Sequence, residues 1–313
     1  MKVAAGIDIG GTNTVFGLVN SEGEILCKES LPTEGFQLPE DLAAVVTEHL
    51  KKLLSDRNAE LIGIGMGAPS ANYFSGCIEF APNLKWEGII PVAKLFEERM
   101  HTRVILTNDA NAAALGEMIF GGAKGMKDFI FITLGTGLGS GIVVNGELVY
   151  GHDGMAGEIG HVIVEKDGRQ CGCGRKGCLE TYCSATGIKR TYADLLMSRH
   201  EKASFANRVA DAKYIYDKAM AGEEAAMEAF RYTGEILGLA LANSVTYTSP
   251  EAIFLFGGLA QSGELIFKPT MESFKKNLLN IYRKDIKILP SLLKENDAAI
   301  LGASSLIWKT ERN

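Results

Sequence analysis

The strongest constraint on the fold of this chain is an order of strands and turns that occurs twice. Val3 to Ile9 is a short apolar segment that ends in a glycine turn, and two strand-like segments follow it as an antiparallel meander. Phe129 to Leu134 begins the same order again, with a glycine turn at 135–139. The segments from Gly17 (GLVNSEGEIL) and Gly141 (GIVVNGELVY) match as strand, asparagine-containing turn and strand, about 125 residues apart. Two copies of one domain architecture explain this match, although short hairpin patterns also recur by chance.

Strands and helices alternate in the rest of the sequence. In the first half we predict a helix at Pro39 to Leu54, buried strands at Leu61 to Met66 and Arg103 to Leu106, and an alanine-rich helix at Ala110 to Met118. In the second half we predict a loop-rich insert at Gly151 to Thr181, a helical block from Thr186 to Thr246, strands at Ala252 to Phe256 and Ile286 to Leu289, and helices at Gly263 to Leu279 and Asp297 to Trp308. This alternation is typical of α/β proteins.

Length and charge limit the classes of function. The 313 residues are enough for two domains, each with its own core. The formal net charge of −6 argues against broad binding of nucleic acid or of an anionic membrane surface. Glycines and Asp8 interrupt the apolar N-terminus, so we do not expect it to act as a signal peptide, and no segment approaches the ~18 apolar residues of a membrane helix. We therefore expect a cytoplasmic protein whose thiols stay reduced.

Three glycine-containing turns follow predicted strands, in the sequences DIGGTN (8–13), LGTGLGSG (134–141) and FGGL (256–259). Glycine lets a backbone approach an anion closely, and a tight turn presents its N–H groups to phosphate. Asp8, at the end of the first strand, can hold hydrated Mg²⁺. The alternative for each turn is an ordinary hairpin or strand-to-helix connection. The first two turns occupy matching places in the repeat, which favours a nucleoside triphosphate held from two sides.

Asn108 and Asp109 stand where a predicted strand meets a predicted helix. Both residue types are common helix N-caps, which is one interpretation. The other is that Asp109 acts as a general base on an alcohol, because an apolar helix start raises the pKa of a carboxyl group. Phosphoryl transfer to a hydroxyl requires such a base together with alignment and charge neutralisation.

Three cysteines fall close together at Cys171, Cys173 and Cys178, with His161 upstream. A disulfide, free thiols and a metal site are the three interpretations, and a reducing compartment favours the metal. One histidine and three cysteines are a ligand set for tetrahedral zinc, and four protein ligands indicate a structural ion. A DNA-binding zinc ribbon is a weaker alternative, since there is one such cluster and its surroundings are not strongly basic.

Five motifs, in this order, resemble the ROK family of sugar kinases and related repressors: DIGGTN, NDANAAALGE, LGTGLGSGIV, GEIGH and CGCGRKGCLE. The segment CGCGRKGCLETYCSATGI is most similar to bacterial glucokinases of that family. The resemblance implies an α/β protein with the actin-like, hexokinase-like fold, which is a duplicated ribonuclease H-like fold with two domains around a cleft. We expect a small N-terminal α/β domain (1–118 plus 298–313) and a large C-terminal α/β domain (119–297) with a zinc-binding insert.

The resemblance also implies a role for each residue that matches a family motif. Asp109 matches the catalytic base for the sugar 6-hydroxyl. Hydrogen bonds to the sugar are implied for Asn83, Asn108, Asp109, Glu158, His161 and Glu180. Contacts to ATP and Mg²⁺ are implied for Asp8, Gly10, Gly11, Thr12, Asn13, Thr136, Gly137, Gly257 and Gly258. Zinc ligands are implied at His161, Cys171, Cys173 and Cys178.

One residue departs from the family pattern. Many members have lysine at the place of Asn13, so a cationic contact to phosphate is either missing or supplied by another residue. We expect this difference to tune ATP affinity rather than to abolish activity.

The resemblance implies an ATP-dependent kinase for a hexose 6-hydroxyl, with glucose as the first expectation. Alternative acceptors are N-acetylglucosamine, N-acetylmannosamine, mannose and fructose. A non-catalytic, sugar-responsive regulator is the alternative from another class; such relatives carry a helix-turn-helix ahead of the DIGGT motif, whereas Asp8 comes seven residues after Met1. The expected partners are the hexose, ATP and further copies of the chain in a homodimer or homotetramer, with neither nucleic acid nor membrane.

Overall fold

The computed structural model describes residues 1–199, 211–282 and 286–312. Its strands are Lys2–Ile9 (β1), Asn13–Val19 (β2), Ile25–Pro32 (β3), Glu60–Ala68 (β4), Ala71–Asn72 (β5), Cys77–Glu79 (β6), Ile89–Ile90 (β7), Val104–Asn108 (β8), Phe129–Leu134 (β9), Leu138–Val144 (β10), Glu147–Leu148 (β11), Ala252–Phe256 (β12) and Lys287–Pro290 (β13). Its α-helices are Pro39–Asp56 (α1), Val92–Met100 (α2), Asp109–Ile119 (α3), Glu180–Cys183 (α4), Ala185–Ser198 (α5), Ala212–Met220 (α6), Glu224–Thr248 (α7), Glu264–Asn277 (α8) and Glu295–Arg312 (α9).

The first large sheet has the strand order β3-β2-β1-β4-β8. β1 pairs antiparallel with β2, and β2 with β3, which confirms the predicted meander. β4 runs parallel to β1 on one side and to β8 on the other. The turn between β2 and β3 is held by Asn20, whose side-chain oxygen accepts the N–H groups of Glu22 and Glu24. Parallel strands end at one edge of a sheet, so β1, β4 and β8 deliver their last residues to the same place.

The second large sheet repeats this arrangement with the order β11-β10-β9-β12-β13. β12 runs parallel to β9 and to β13, as β4 does to β1 and β8. The repeat inferred from the sequence is therefore confirmed at the level of sheet topology. One boundary was wrong: Leu138 and Gly139, predicted to lie in the glycine turn, already belong to β10. Phe129 and Phe254 on adjacent strands make a T-shaped contact, with ring centroids 5.8 Å apart, in the buried interior.

The chain divides into two compact units. The first consists of Met1–Met126, Gly141–Gly157 and Ser291–Asn313, and the second of Lys127–Ser140 and Glu158–Pro290. The predicted domain boundaries stay a prediction. The predicted helical block 186–246 contains α5, α6 and part of α7, and its residues 200–210 lie outside the described residues.

Helix α9 packs within the first unit, as predicted for the C-terminal helix. Ile307 and Trp308 are buried against Ala4 of β1, and the Trp308 indole N–H donates to the Val19 carbonyl at 3.3 Å.

Local sequence signals fix the starts of other helices. Pro39 is the first residue of α1, with Glu40 and Asp41 in its first turn, and the Ser184 hydroxyl caps α5 by accepting the Gly187 N–H at 3.0 Å. No helix in the described parts of the chain has the length and apolar character to cross a membrane.

Glu117, on α3, is a fully buried carboxylate that joins three segments of the first unit. Its Oε1 accepts the N–H groups of Gly122 at 2.7 Å and Leu292 at 3.1 Å, and its Oε2 accepts the Ser291 hydroxyl at 2.5 Å. Sequence reasoning did not single this residue out, because its three donors come together only in the folded chain.

We expect Glu117→Ala to lower the free energy of unfolding by about 3 kcal/mol or more, because it leaves three donors unpaired. Urea titration followed by circular dichroism measures this change. The matched control is Glu98→Ala: Glu98 is exposed and its ion pair with Lys94 spans 3.8 Å, so about 0–1 kcal/mol is expected. Equal effects of the two substitutions would contradict a structural role for Glu117.

Candidate active site and metal centre

Two aspartates lie on either side of one glycine at the edge where the parallel strands of the first unit end. Asp8 of β1 is paired in register with Gly67 of β4, and Gly67 with Thr107 of β8. A Cβ built on Gly67 would lie 3.0 Å from Asp8 Oδ1 and 3.6 Å from Asp109 Cα. The missing side chain of Gly67 therefore leaves the space beside the Asp8 carboxyl group and the Asp109 main chain.

This arrangement shifts the protonation of both groups. Loss of solvation and the nearby charge of Asp109 raise the pKa of Asp8 to about 7. Loss of solvation also raises the pKa of Asp109, although its hydrogen bond from the Ala110 N–H acts in the opposite direction. As whole residues, Asp8 is half-buried and Asp109 is exposed.

The two interpretations of Asn108 and Asp109 prove compatible. The side-chain oxygens Asn108 Oδ1 and Asp109 Oδ1 each accept the Ala110 N–H at 2.8 Å, so both residues cap α3. Capping fixes the position of the Asp109 side chain at the start of the helix. A carboxylate has a second oxygen with acceptor capacity of its own, so capping does not prevent a role as general base.

The glycine turn between β1 and β2 is closed by a hydrogen bond from the Gly10 N–H to the Asn13 carbonyl at 3.0 Å. A Cβ on Gly11 would lie 2.5 Å from the Asn83 carbonyl oxygen. The structure thus brings Asn83, predicted to contact the sugar, against the turn predicted to contact phosphate. Thr12 and Asn13 are exposed on the same turn.

The second glycine turn belongs to the second unit and is held by the start of α5. The Gly135 carbonyl accepts the Ala185 N–H at 2.8 Å, and the Thr136 carbonyl accepts the Thr186 hydroxyl at 2.9 Å. Gly257, with φ of +100°, follows the adjacent parallel strand β12. Thr136, Gly137, Gly257 and Gly258 therefore lie at the same end of two neighbouring parallel strands.

The predicted metal ligands come together in the second unit. One ligand atom from each of His161, Cys171, Cys173 and Cys178 lies within 4.8 Å of all the others. The Sγ atoms of Cys173 and Cys178 are 3.6 Å apart, and Cys171 Sγ is 3.7 Å from His161 Nδ1. A zinc–sulfur bond of ~2.3 Å in a tetrahedral site places sulfurs about 3.8 Å apart, so this donor set fits zinc. All six cysteines are free thiols, which argues against the disulfide interpretation.

Backbone hydrogen bonds between nearby residues shape the cysteine-bearing loop. Isolated bridges join Ile163 to Cys178 and Gln170 to Lys176, and the Cys171 N–H donates to the Arg175 carbonyl at 2.9 Å. These backbone contacts fold the loop back on itself around the three cysteines.

Arg169 anchors the same loop and was not predicted. Its guanidinium donates to the carbonyls of Thr181 and Gly187 and to Asp194, and its Cζ lies 4.7 Å from the centroid of the Tyr182 ring. No spacing in the sequence announces these partners, because they belong to the two helices that follow the loop.

Three predicted sugar contacts of the second unit are linked through this loop. The His161 N–H donates to the Glu158 carbonyl at 3.0 Å, and His161 Nε2 is 4.0 Å from Glu158 Oε2. Glu180, the first residue of α4, has its Oε1 3.9 Å from Cys171 Sγ. Two carboxylates therefore lie beside the metal ligands, one of which is the His161 imidazole, and carboxylates can accept hydrogen bonds from hydroxyl groups.

The sequence matches a family model over almost its whole length. The model of the ROK family matches residues 4–310. The chain belongs to the ROK family.

Several curated relatives are similar over nearly the whole length of this chain. A glucokinase of Halalkalibacterium halodurans is 35% identical, over 98% of this chain and 96% of the relative. A glucokinase of Thermotoga maritima is 34% identical, over 96% of each chain. A xylose repressor of Bacillus subtilis is 27% identical, over 97% of this chain and 76% of the repressor.

The ROK fold is also shown by solved structures. The crystal structure of a ROK family glucokinase from Streptomyces griseus, in complex with glucose and AMPPNP, is 32% identical with a TM-score of 0.78. The structural match covers 97% of this chain and 98% of the Streptomyces griseus chain. Together with the duplicated sheet topology, this confirms the predicted hexokinase-like fold.

The raised pKa of Asp8 predicts how the stability of the metal-free ROK protein depends on pH. An unfolded chain releases this proton near pH 4, whereas the folded chain keeps it until about pH 7. The contribution of Asp8 to stability is therefore present below pH 4 and is lost as the pH rises through 7. We expect Asp8→Asn to raise the melting temperature at pH 8 by a few degrees and by less at pH 5, as measured by scanning calorimetry.

Asp56→Asn, at the exposed end of α1, is the control and should show no such difference between the two pH values. A shift for Asp8→Asn that is the same at both pH values would contradict the proposed repulsion.

Proposed function

We propose that this protein is an ATP-dependent hexose kinase that transfers the γ-phosphoryl group of ATP to the 6-hydroxyl of glucose. The observation that carries the proposal is the pair of carboxyl groups, Asp8 and Asp109, beside a glycine turn. The full-length similarity to glucokinases, one of them solved with glucose and AMPPNP, supports glucose as the acceptor.

Asp109 is proposed as the general base. The sugar 6-oxygen forms a bond to the γ-phosphorus as the bond from that phosphorus to the bridging oxygen of ADP breaks, and the hydroxyl proton passes to Asp109. Capping of α3 holds this carboxylate in one orientation, and its accessible side chain can meet the hydroxyl. The raised pKa makes Asp109 a stronger base than an ordinary aspartate.

The glycine turns are proposed to hold the nucleotide. In the first unit Thr12 and Asn13 are exposed residues of the turn 10–13, and in the second unit Thr136, Gly137, Gly257 and Gly258 lie at adjacent strand ends. Mg²⁺, when bound with ATP, neutralises phosphate charge and aligns the transferred group. Asp8 would hold it through water. A cation fits here because it relieves the repulsion that raises the pKa of Asp8.

Sugar recognition is proposed to depend on acceptors and amides at fixed positions. In the second unit Glu158, His161 and Glu180 border the metal ligands; in the first unit Asn83 and Asn108 accompany Asp109. A zinc ion would bind His161 through Nδ1, the atom next to Cys171 Sγ, and leave Nε2 for the sugar. Sites that hydrogen-bond a particular hydroxyl reject analogues that lack it.

Two other aspects of function stay predictions. N-acetylglucosamine, N-acetylmannosamine, mannose and fructose are the alternative acceptors, and the similarity to a xylose repressor keeps a regulatory role as the second candidate. Specific binding of an operator-like DNA in a gel-shift assay at physiological salt would favour that candidate. The expected homodimer or homotetramer and the cytoplasmic location belong to the same proposal.

A coupled assay of ATP consumption over the hexose panel tests the function, with glucose expected to give the highest kcat/KM. We expect Asp109→Asn to lower kcat by about 10²–10⁴-fold while the Kd for glucose changes little, because only proton transfer is lost. Because the base must be deprotonated, kcat/KM of the wild type should fall toward acid at a pH above that of an ordinary aspartate. Near-normal turnover of Asp109→Asn would refute the assignment.

Removal of one metal ligand should affect sugar binding rather than phosphate chemistry. We expect Cys173→Ser to lose zinc, measured by elemental analysis of the purified protein, and to raise the KM for glucose by about tenfold or more. Cys77→Ser, which changes a thiol outside the cluster, is the control and should keep both zinc and KM. A zinc-free protein with unchanged glucose KM would show that the metal does not support the sugar site.

A further inference from the structure

The Glu180 carboxylate reaches the second glycine turn as well as the metal loop. Its Oε2 accepts the backbone N–H of Leu138, the first residue of β10, at 3.0 Å. A Cβ built on Gly137 would lie 2.4 Å from that oxygen and 3.3 Å from the carboxyl carbon. Any side chain at position 137 therefore occupies the place of the Glu180 carboxylate.

The neighbouring glycine of the same turn gives a direct comparison. A Cβ built on Gly135 would meet nothing within 4 Å, and neither Gly135 nor Gly137 has a φ in the left-handed region. Backbone conformation alone thus does not require glycine at either position. Within the described residues, what sets Gly137 apart is its contact with Glu180.

The backbone of Glu180 is fixed by a different part of the unit. The Leu179 N–H donates to the Val162 carbonyl at 2.9 Å, and the Glu180 carbonyl accepts the Ser184 hydroxyl at 2.8 Å. Glu180 therefore has its main chain on the metal-binding loop and its carboxylate on the glycine turn. A movement of either segment must change the orientation of the carboxylate.

We infer that Gly137 and the Leu138 N–H are positioning groups for the sugar-binding carboxylate of Glu180, so that the turn proposed to hold the nucleotide also orients a sugar contact. This inference rests on the proposed function. It makes the two ligands energetically coupled through one side chain, since a nucleotide that fixes the turn also fixes Glu180. The coupling should raise the affinity for glucose when a nucleotide is bound, on the order of tenfold.

The first test measures glucose binding without nucleotide by isothermal titration calorimetry. Gly137→Ala should raise the Kd for glucose by about tenfold or more, because the new methyl group displaces the carboxylate. Gly135→Ala, in the same turn, should leave the Kd for glucose within about twofold, since its methyl group meets open space. An unchanged Kd for Gly137→Ala would overturn the inference.

A double-mutant cycle separates this mechanism from general damage to the turn. Glu180→Ala should weaken glucose binding, and Gly137→Ala should have no further effect in that background, because the side chain it displaces is already gone. Additive effects of the two substitutions would show that Gly137 acts on sugar binding by another route.

Hydrogen exchange of the Leu138 amide tests the contact without any ligand. Protection should be lost in Glu180→Ala and in Gly137→Ala, and kept in Gly135→Ala and in Glu180→Gln, which retains an acceptor oxygen. If the wild type phosphorylates no sugar, the proposed function fails while this measurement still decides the placement of Glu180. Unchanged Leu138 protection in Glu180→Ala would overturn the inference even in an active kinase, and it remains decisive where Gly137→Ala does not fold.

Discussion

The burial of Asp8 beside Asp109 is the constraint on which the proposed chemistry of the first unit depends. The sheet topology brings the two aspartates together, because β1, β4 and β8 are parallel and end at one edge. The residue of β4 at this level is Gly67, which has no side chain to fill the space beside Asp8. An isolated fold would gain stability by replacing either carboxylate with a neutral group. Retaining both means that the free protein holds a charge conflict that a bound cation can relieve. The proposed binding of Mg²⁺–ATP would relieve this conflict.

In the second unit the constraint is the orientation of the side chains proposed to bind the sugar. Glu158, His161 and Glu180 lie on segments with little regular structure, which alone would leave their side chains poorly oriented. The four metal-ligand side chains, the hydrogen bonds of Arg169 and the contact of Glu180 with the glycine turn restrict those segments instead. Preorganisation of this kind lowers the conformational entropy that these protein segments lose when a sugar is bound. The same restriction is the reason why the proposed zinc ion, although structural in coordination, would matter for substrate affinity.

The sequence was informative wherever the signal is local. The span Phe129–Leu134 was predicted with its observed bounds because a run of β-branched and aromatic residues ends at glycine. The metal cluster was predicted from spacing, since cysteines two and five residues apart in a glycine-rich loop are already neighbours. The turn before β10 was predicted too long, because glycines that pair in a strand look like turn residues in a sequence. Glu117 and Arg169 were missed, because each binds partners that are brought together only by the tertiary fold.

The contact between Glu180 and Leu138 shows why motif reading alone gives an incomplete account of such a site. Gly137 matches a nucleotide motif and Glu180 a sugar motif, and the two are more than 40 residues apart in the chain. Read separately, each residue has one ligand and one role. In the folded unit the Leu138 N–H binds the Glu180 carboxylate, and this carboxylate occupies the space left by the missing side chain of Gly137. By the inference above, a side chain at position 137, in the ATP motif, acts mainly on sugar affinity. The reason is that it displaces the Glu180 carboxylate, which occupies the space beside Gly137.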